Sequence, residues 1–194
     1  CGKGRHSFAL ANKGFDVTGI DIAFPSIDEA KKMEHERLHF YQHDMRLPFW
    51  INYFDYAFNF FTSFGYFKTE REHNNALRTI AQSIKPKGTL VIDYLNVAFI
   101  ENSLQPLTIT TVDDVEFTIS RWHTENHFYK KIQVKENNEV RDLYTECVAK
   151  FSLANFEEML ALQNMKVKEV FGNYDLSSYN KEQSPRLIIV AEKL

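Results

Sequence analysis

Apolar and polar residues follow two different rhythms along this chain, and the change falls near Gln105. Before it, apolar runs of strand length alternate with stretches of helical period. Residues 5–12 read as a helix, with Phe8 and Leu10 available for packing and Gly14 as a left-handed stop. Residues 15–21 form a short β-rich run that closes on Asp21. Ser26-Ile-Asp-Glu29 has the form of a capping box opening a helix to about Met33. Residues 38–44 are a second strand, closing on Asp44. Residues 54–60 are an apolar run expected to be buried on both faces. Thr69-Glu-Arg-Glu72 is a second capping box. It precedes a helix with Ala76, Leu77, Ile80, Ala81 and Ile84 on one side. Lys85-Pro-Lys-Gly88 is expected to stop that helix, and residues 89–95 are a further buried strand. Strands alternating with helices imply a parallel sheet with right-handed crossovers.

From residue 107 to 151 the helical period is absent. Residues 108–112, 115–122, 128–135 and 139–150 read as antiparallel strands. Asp113-Asp114, Glu125-Asn126 and Asn137-Asn138 supply the turns. Ser152 then caps a helix carrying Phe156, Met159, Leu160 and Leu162. Residues 165–171 and 186–191 are the last strands, joined by a long loop. With no helix between them, they must pair antiparallel or lie apart. The expected fold is α/β: a Rossmann-like, mostly parallel sheet with an antiparallel last strand, plus a small antiparallel β insert. Residues 1–104 and 151–194 would form the main domain, and residues 105–150 the insert or cap.

The organising stretch is Cys1-Gly2-Lys3-Gly4-Arg5-His6, a glycine loop running into a helix. Glycines at a helix mouth let backbone approach a polar ligand closely. In an α/β sheet such a loop follows the first strand. No strand stands before it in this sequence, so the working protein is expected to be longer at its N-terminus. Asp21 at the end of one strand can hold both hydroxyls of a ribose. Asp44 at the end of the next can accept from an adenine amino group. Each feature alone also fits an ordinary turn or helix cap; three at successive strand ends on one edge point to a nucleoside cofactor.

Composition narrows the partners. The formal charge is −3 with no basic run longer than a pair, which argues against nucleic acid. No stretch approaches the ~20 apolar residues of a membrane span. Cys1 and Cys147 lack metal or redox spacing and are expected to be free thiols, as in a cytoplasmic protein. The His residues form no metal-ligand pattern; His39 and His43 are four apart on a strand, not a helix. No Tyr has Lys four positions on, which weakens a nicotinamide dehydrogenase reading. The 17 Phe and nine Tyr serve mostly as core, and such density also lines ligand cavities.

Several segments together resemble the class I S-adenosylmethionine-dependent methyltransferases. Cys1-Gly2-Lys3-Gly4 is similar to the end of their glycine-rich motif. Gly19-Ile-Asp21 resembles their acidic ribose motif, and His43-Asp44-Met45 their adenine-binding segment. Asn59-Phe-Phe-Thr-Ser-Phe-Gly-Tyr-Phe67 resembles the fourth-strand motif of a small bacterial subgroup with a β insert after the fifth strand. Lys85-Pro-Lys-Gly88 and Ser184-Pro185-Arg186 are similar to that subgroup's approaches to its fifth and last strands.

The resemblance implies methyl transfer from S-adenosylmethionine, leaving S-adenosylhomocysteine, to an acceptor expected to be a small molecule. It implies cofactor contacts at Gly2, Gly4, Asp21, Ile22, Asp44, Met45 and Phe60. Acceptor contacts would fall on Phe61, Ser63, Phe64, Tyr66, Asn96 and Tyr174, with Asp175 beside the last. Arg121, His123, Tyr129 and Arg141 of the insert could add polar contacts, or be a solvated strand face. No general base is identified. Methylation of RNA or protein, or a catalytically silent cofactor-binding or interaction module of the same fold, are the alternatives.

Overall fold

The computed structural model describes residues 1–137 and 139–194. Helix α1 (Arg5–Ala11) begins directly after Gly4. Gly4 has φ +80°, and a Cβ there would lie 2.5 Å from the Phe40 ring. The position therefore needs glycine for its left-handed backbone and for the ring packed against it. Strand β1 (Val17–Asp21), helix α2 (Phe24–Lys31) and strand β2 (Leu38–Gln42) follow. β1 and β2 run parallel, with Asp21 opposite Gln42. Ala11, Ile27, Ala30, Leu38 and Phe40 form the small core of this part.

The expected capping box at Ser26 is not formed. α2 starts at Phe24 with Pro25 in its first turn and has no side-chain cap bond. Proline brings a preset φ and no N–H to satisfy, so the helix starts ahead of the serine.

The second sheet contains strand β3 (Phe54–Asn59), strand β4 (Ile84–Leu95), and the last two strands, β9 (Met165–Phe171) and β10 (Arg186–Lys193). Its order is β3-β4-β10-β9. β3 and β4 are parallel, whereas β10 is antiparallel to both its neighbours, as expected from the missing crossover helix. Helix α3 (Glu70–Ser83) has the predicted capping box: Thr69 accepts from the Glu72 amide while the Glu72 carboxylate accepts from the Thr69 amide. Lys85-Pro-Lys-Gly88 is not a separate loop but the irregular start of β4. A Cβ on Gly88 would lie 2.8 Å from the Asp55 carbonyl. β3 is not buried on both faces. It is an edge of its sheet among the described strands, and Tyr56 and Phe58 on one face are 61% and 47% exposed.

Helix α4 (Val97–Ser103) was not legible in the sequence; it buries no residue, so it carries no periodic apolar stripe. The insert is one antiparallel sheet of β5 (Leu107–Val112), β6 (Val115–His123), β7 (His127–Glu136) and β8 (Glu139–Ala149), in that order. Asn138 of the expected third turn lies outside the described residues. Helix α5 (Leu153–Ala161) follows, capped by Ser152. Phe64, Leu77, Leu90, Ile92, Tyr94, Phe156, Leu160, Leu187 and Ile189 make the main core beneath α3 and α5. Each such side chain contributes ~1.5–3 kcal/mol of burial.

The insert is tied to this core at one end. The Ala149 amide donates to the Gly65 carbonyl at 2.8 Å, and the Tyr94 hydroxyl donates to the Ala149 carbonyl. Lys150 adds a second tie. Its ammonium donates to Glu101 of α4 and to the Thr124 carbonyl, both at 2.5 Å.

Candidate cofactor and acceptor site

Asp21 sits at the carboxyl end of β1, beside the glycine loop. Its Oδ2 accepts from the Gly2 amide at 2.7 Å and from the Cys1 nitrogen at 3.0 Å. Its Oδ1 accepts from the Ala23 amide at 2.9 Å. Burial opposes ionisation of this carboxyl, but hydrogen bonds led by those from the Ala23 and Gly2 amides outweigh it and hold the pKa below the ordinary value. A carboxylate offers about four acceptor positions. Three nitrogens use part of that capacity, and the side chain remains about a quarter open to solvent. Gly2 has φ +55° and open space where a Cβ would stand. Ile22, the next residue after Asp21, is 63% exposed. An ionised acceptor, an uncluttered glycine and a bare apolar side chain at one strand end suit a ribose with an aromatic base attached. The chemistry of the donor set fits S-adenosylmethionine.

Asp44, expected at an adenine amino group, is engaged within the chain. Arg46 holds it, through the backbone amide at 2.9 Å, Nε at 3.0 and 3.1 Å, and a terminal nitrogen at 2.6 Å. The Arg46 side chain is the first cause of the lowered pKa of Asp44. Arg46 also pairs with Glu72, so the segment after β2 is anchored to the first turn of α3. Met45 packs on the main core, and its carbonyl accepts from the Thr79 hydroxyl.

The end of β3 makes a sharp turn in which Phe61 and Thr62 both have left-handed backbone, φ +54° and +58°. For a β-branched residue this is strained. Asp93 of β4 holds the turn: its Oδ2 accepts from the Phe61 amide at 2.8 Å and its carbonyl from the Thr62 amide at 2.9 Å. Ser63 donates to the Phe60 carbonyl at 2.7 Å. Phe60 and Phe61 project to His6 of α1, with ring centroids 5.8 and 5.1 Å away. Tyr174, from the loop between β9 and β10, stands 6.2 Å from Phe61 on the other side. His6, Phe60, Phe61 and Tyr174 thus form one aromatic wall. It starts at the glycine loop and crosses the carboxyl end of β3. Burial leads the causes that raise the Tyr174 phenol above its ordinary pKa, with the nearby Asp93 adding to it against Arg186.

Two residues expected at the acceptor face elsewhere. Phe64 is fully buried among His73, Phe151 and Phe156, because the chain turns inward at Gly65. Asn96 is also buried. Its amide nitrogen donates to the Lys181 and Ser184 carbonyls at 2.8 and 2.7 Å, and its oxygen accepts from Tyr179. It pins the β9–β10 loop. Tyr66 remains half exposed, and burial together with Glu146 of the insert raises its pKa. Within the insert, Arg121 donates to Thr108 at 2.9 Å, and His123 lies 3.0 Å from the Lys150 ammonium. Tyr129 stacks on Trp122, and Arg141 pairs with Glu136.

Sequence reasoning missed His6, Asp93 and Arg186 as members of this site. A signal for the last two existed: an acid inside the apolar run of β4 and a base opening the apolar run of β10. For His6 there was none beyond its place in the glycine loop. Among the described residues, no group of three or more His, Cys, Asp or Glu could hold a metal ion, and no helix is long and apolar enough to cross a membrane.

The fold places the chain in a class, the Rossmann-like α/β proteins. Comparisons with known proteins narrow it. Residues 1–88 match the family model described as Methyltransferase domain. A Bacillus subtilis (strain 168) protein named as a methyltransferase, YqeM, is 33% identical over 96 residues. That alignment covers 48% of this chain and 39% of YqeM, well under two thirds of the relative's length. Among solved structures, the CcbJ methyltransferase from Streptomyces caelestis superposes with a TM-score of 0.84 at 18% identity, over 99% of this chain and 80% of that one. CalS10, an amino pentose methyltransferase from Micromonospora echinaspora solved with S-adenosylmethionine bound, gives 0.73 at 19% identity, over 100% and 80%. Residues 1–88 thus match a methyltransferase-domain model, and the whole chain shares the fold of these solved methyltransferases.

Proposed function

We propose that the protein transfers a methyl group from S-adenosylmethionine to a small-molecule acceptor. The observation that carries the reading is the set at the end of β1: ionised Asp21 with acceptor capacity left, open Gly2 and bare Ile22. The aromatic wall runs on from that set across the sheet edge. The small-molecule part is supported by the likeness to CalS10, named as an amino pentose methyltransferase, and by the net charge of −3.

When bound, S-adenosylmethionine supplies a methyl group already activated by a sulfonium. What is left to the chain is to bind, align and exclude water, and alignment alone can be worth ~7–11 kcal/mol. Asp21 would accept from the ribose hydroxyls. Gly2 and Gly4 would let backbone approach the methionine part, with Phe60 beside it. Ile22 would cover the adenine, flanked by Met45, with the Asp44–Arg46 pair fixing that segment. Phe61, Ser63, Tyr66 and Tyr174 would meet the acceptor. Phe64 and Asn96 support the pocket from behind. The residues 105–150 sheet, tied to Gly65 beside Tyr66, would act as the cap of a main domain made of residues 1–104 and 151–194.

The test is methyl release from labelled S-adenosylmethionine across a panel of amino sugars, phenols and small amines, with tRNA and a protein lysate as controls. Transfer to a panel member supports the reading. Transfer only to the macromolecules would move the acceptor to another class. Cofactor binding with no transfer to anything would favour a silent module.

A further inference from the structure

Asp93 and Arg186 are a buried ion pair in the sheet: Arg186 Nε donates to Asp93 Oδ1 at 2.8 Å, and a terminal guanidinium nitrogen lies 2.7 Å from the same oxygen. Asp93 is 1% exposed. A pair this deep brings a desolvation cost that its own attraction only partly offsets, so it is weak as a device for stability alone. Its remaining contacts are unusual in where they go. The other carboxylate oxygen, Oδ2, accepts from the Phe61 amide and from the Tyr174 phenol at 3.1 Å. The other guanidinium contact is to the Thr62 hydroxyl at 3.1 Å, and the guanidinium carbon lies 6.0 Å from the Tyr174 ring centroid. Among the described residues, every side-chain polar contact of the pair beyond the pair itself therefore lands on the strained Phe61–Thr62 turn or on Tyr174.

We propose that Asp93 and Arg186 are the positioning pair of the transfer site. They touch neither cofactor nor acceptor. They hold the Phe61–Thr62 turn in its left-handed form and hold Tyr174 against Phe61, so that the β3 turn and the β9–β10 loop form one wall facing His6. Strained backbone persists only where its surroundings over-determine it, and here two side chains on two strands do so. The pair makes the acceptor side of the wall depend on the cofactor side. A ligand that packs on His6 and Phe60 tightens the turn, and through Asp93 it tightens Tyr174.

This inference rests on the methyltransferase reading, and the experiment separates the two. Hydrogen exchange is followed in residues 58–64 and 172–178 of the full chain, with and without S-adenosylhomocysteine, for the wild type, Asp93→Asn and Tyr174→Phe. Wild-type binding of S-adenosylhomocysteine, by calorimetry, is the control; its absence would overturn the reading and with it the inference. With binding present, S-adenosylhomocysteine should slow exchange in both segments of the wild type. Tyr174→Phe removes one hydroxyl from a mostly exposed ring. It should leave the ligand's effect on 58–64 but abolish its effect on 172–178, and raise basal exchange there about tenfold, the weight of one bond to a charged group. Asp93→Asn, where it folds, should raise both segments and leave α5 and β9 unchanged. Ligand protection confined to 58–64 in the wild type, or Tyr174→Phe indistinguishable from it, would overturn the proposal. Should Asp93→Asn fail to fold, Tyr174→Phe decides alone.

Discussion

The Gly2 amide donates to Asp21 Oδ2 at 2.7 Å, closing the glycine loop onto the end of β1. The acid expected to hold the cofactor also shapes the loop that receives it. Binding and local order are therefore coupled at Asp21, and pH should reveal it. Its folded-state pKa lies below the ordinary value of 3.8. A depressed carboxylate pKa gives stability that is complete above the unfolded value and lost as pH falls through the folded one. Chemical unfolding should show no contribution change from Asp21 between neutrality and about pH 5, then a loss below about pH 4. Asp21→Asn should flatten that acid limb. An identical acid limb in the variant would show that Asp21 is not the group responsible.

Gly4→Ala tests the loop from the other side. The new methyl would meet the Phe40 ring at 2.5 Å on a backbone with φ +80°. Overpacking and left-handed strain together should cost ~2–4 kcal/mol, read as a lower urea midpoint. Gly2→Ala meets nothing in the protein. It should cost only the ~1 kcal/mol of its positive φ and show its larger effect on cofactor affinity.

Phe61 and Phe64 separate wall from core. Phe64 is 1% exposed and Phe61 52%. Phe64→Ala should destabilise by ~3–5 kcal/mol through the cavity it leaves. Phe61→Ala should stay within about 1 kcal/mol of wild type in stability and lose methyl transfer instead. Thermal unfolding and a turnover assay, run together, check both.

Asn96→Ala should act on the loop and not on the cofactor. It strips the Lys181 and Ser184 carbonyls of their donor in a buried setting. A loss of ~2–3 kcal/mol in stability is expected, with faster proteolysis between residues 172 and 185. Affinity for S-adenosylhomocysteine should be nearly unchanged. A large fall in methyl transfer with stability and that affinity intact would return Asn96 to the acceptor site.

Much of the fold was legible because period and length agree wherever an element buries one face. β9, residues 165–171, is a strand as read, and its antiparallel pairing with β10 follows from the lack of a helix between them. Thr69-Glu-Arg-Glu72 is legible because both halves of a capping box are local. Ser26 misled for the same reason: the pattern is local, but Pro25 starts the helix first. α4 has no buried face and left no pattern. In the site, Asp21 could be read from its place at a strand end. Asn96 and Phe64 have suitable chemistry in a suitable segment, and only the turn at Gly65 and the course of the 180–184 loop decide that they face inward. Asp93 and Arg186 meet across 93 residues, which no local pattern encodes.

Calorimetric titration of S-adenosylhomocysteine into the protein and its Asp21→Ala variant tests the central claim most directly. The wild type should bind. The variant should remain folded by circular dichroism and bind at least about 100-fold more weakly, since two hydrogen bonds to a charged acceptor are worth ~1.5–3 kcal/mol each. Equal affinity in a folded variant, or no binding by the wild type, would contradict the assignment of the end of β1 as the cofactor site.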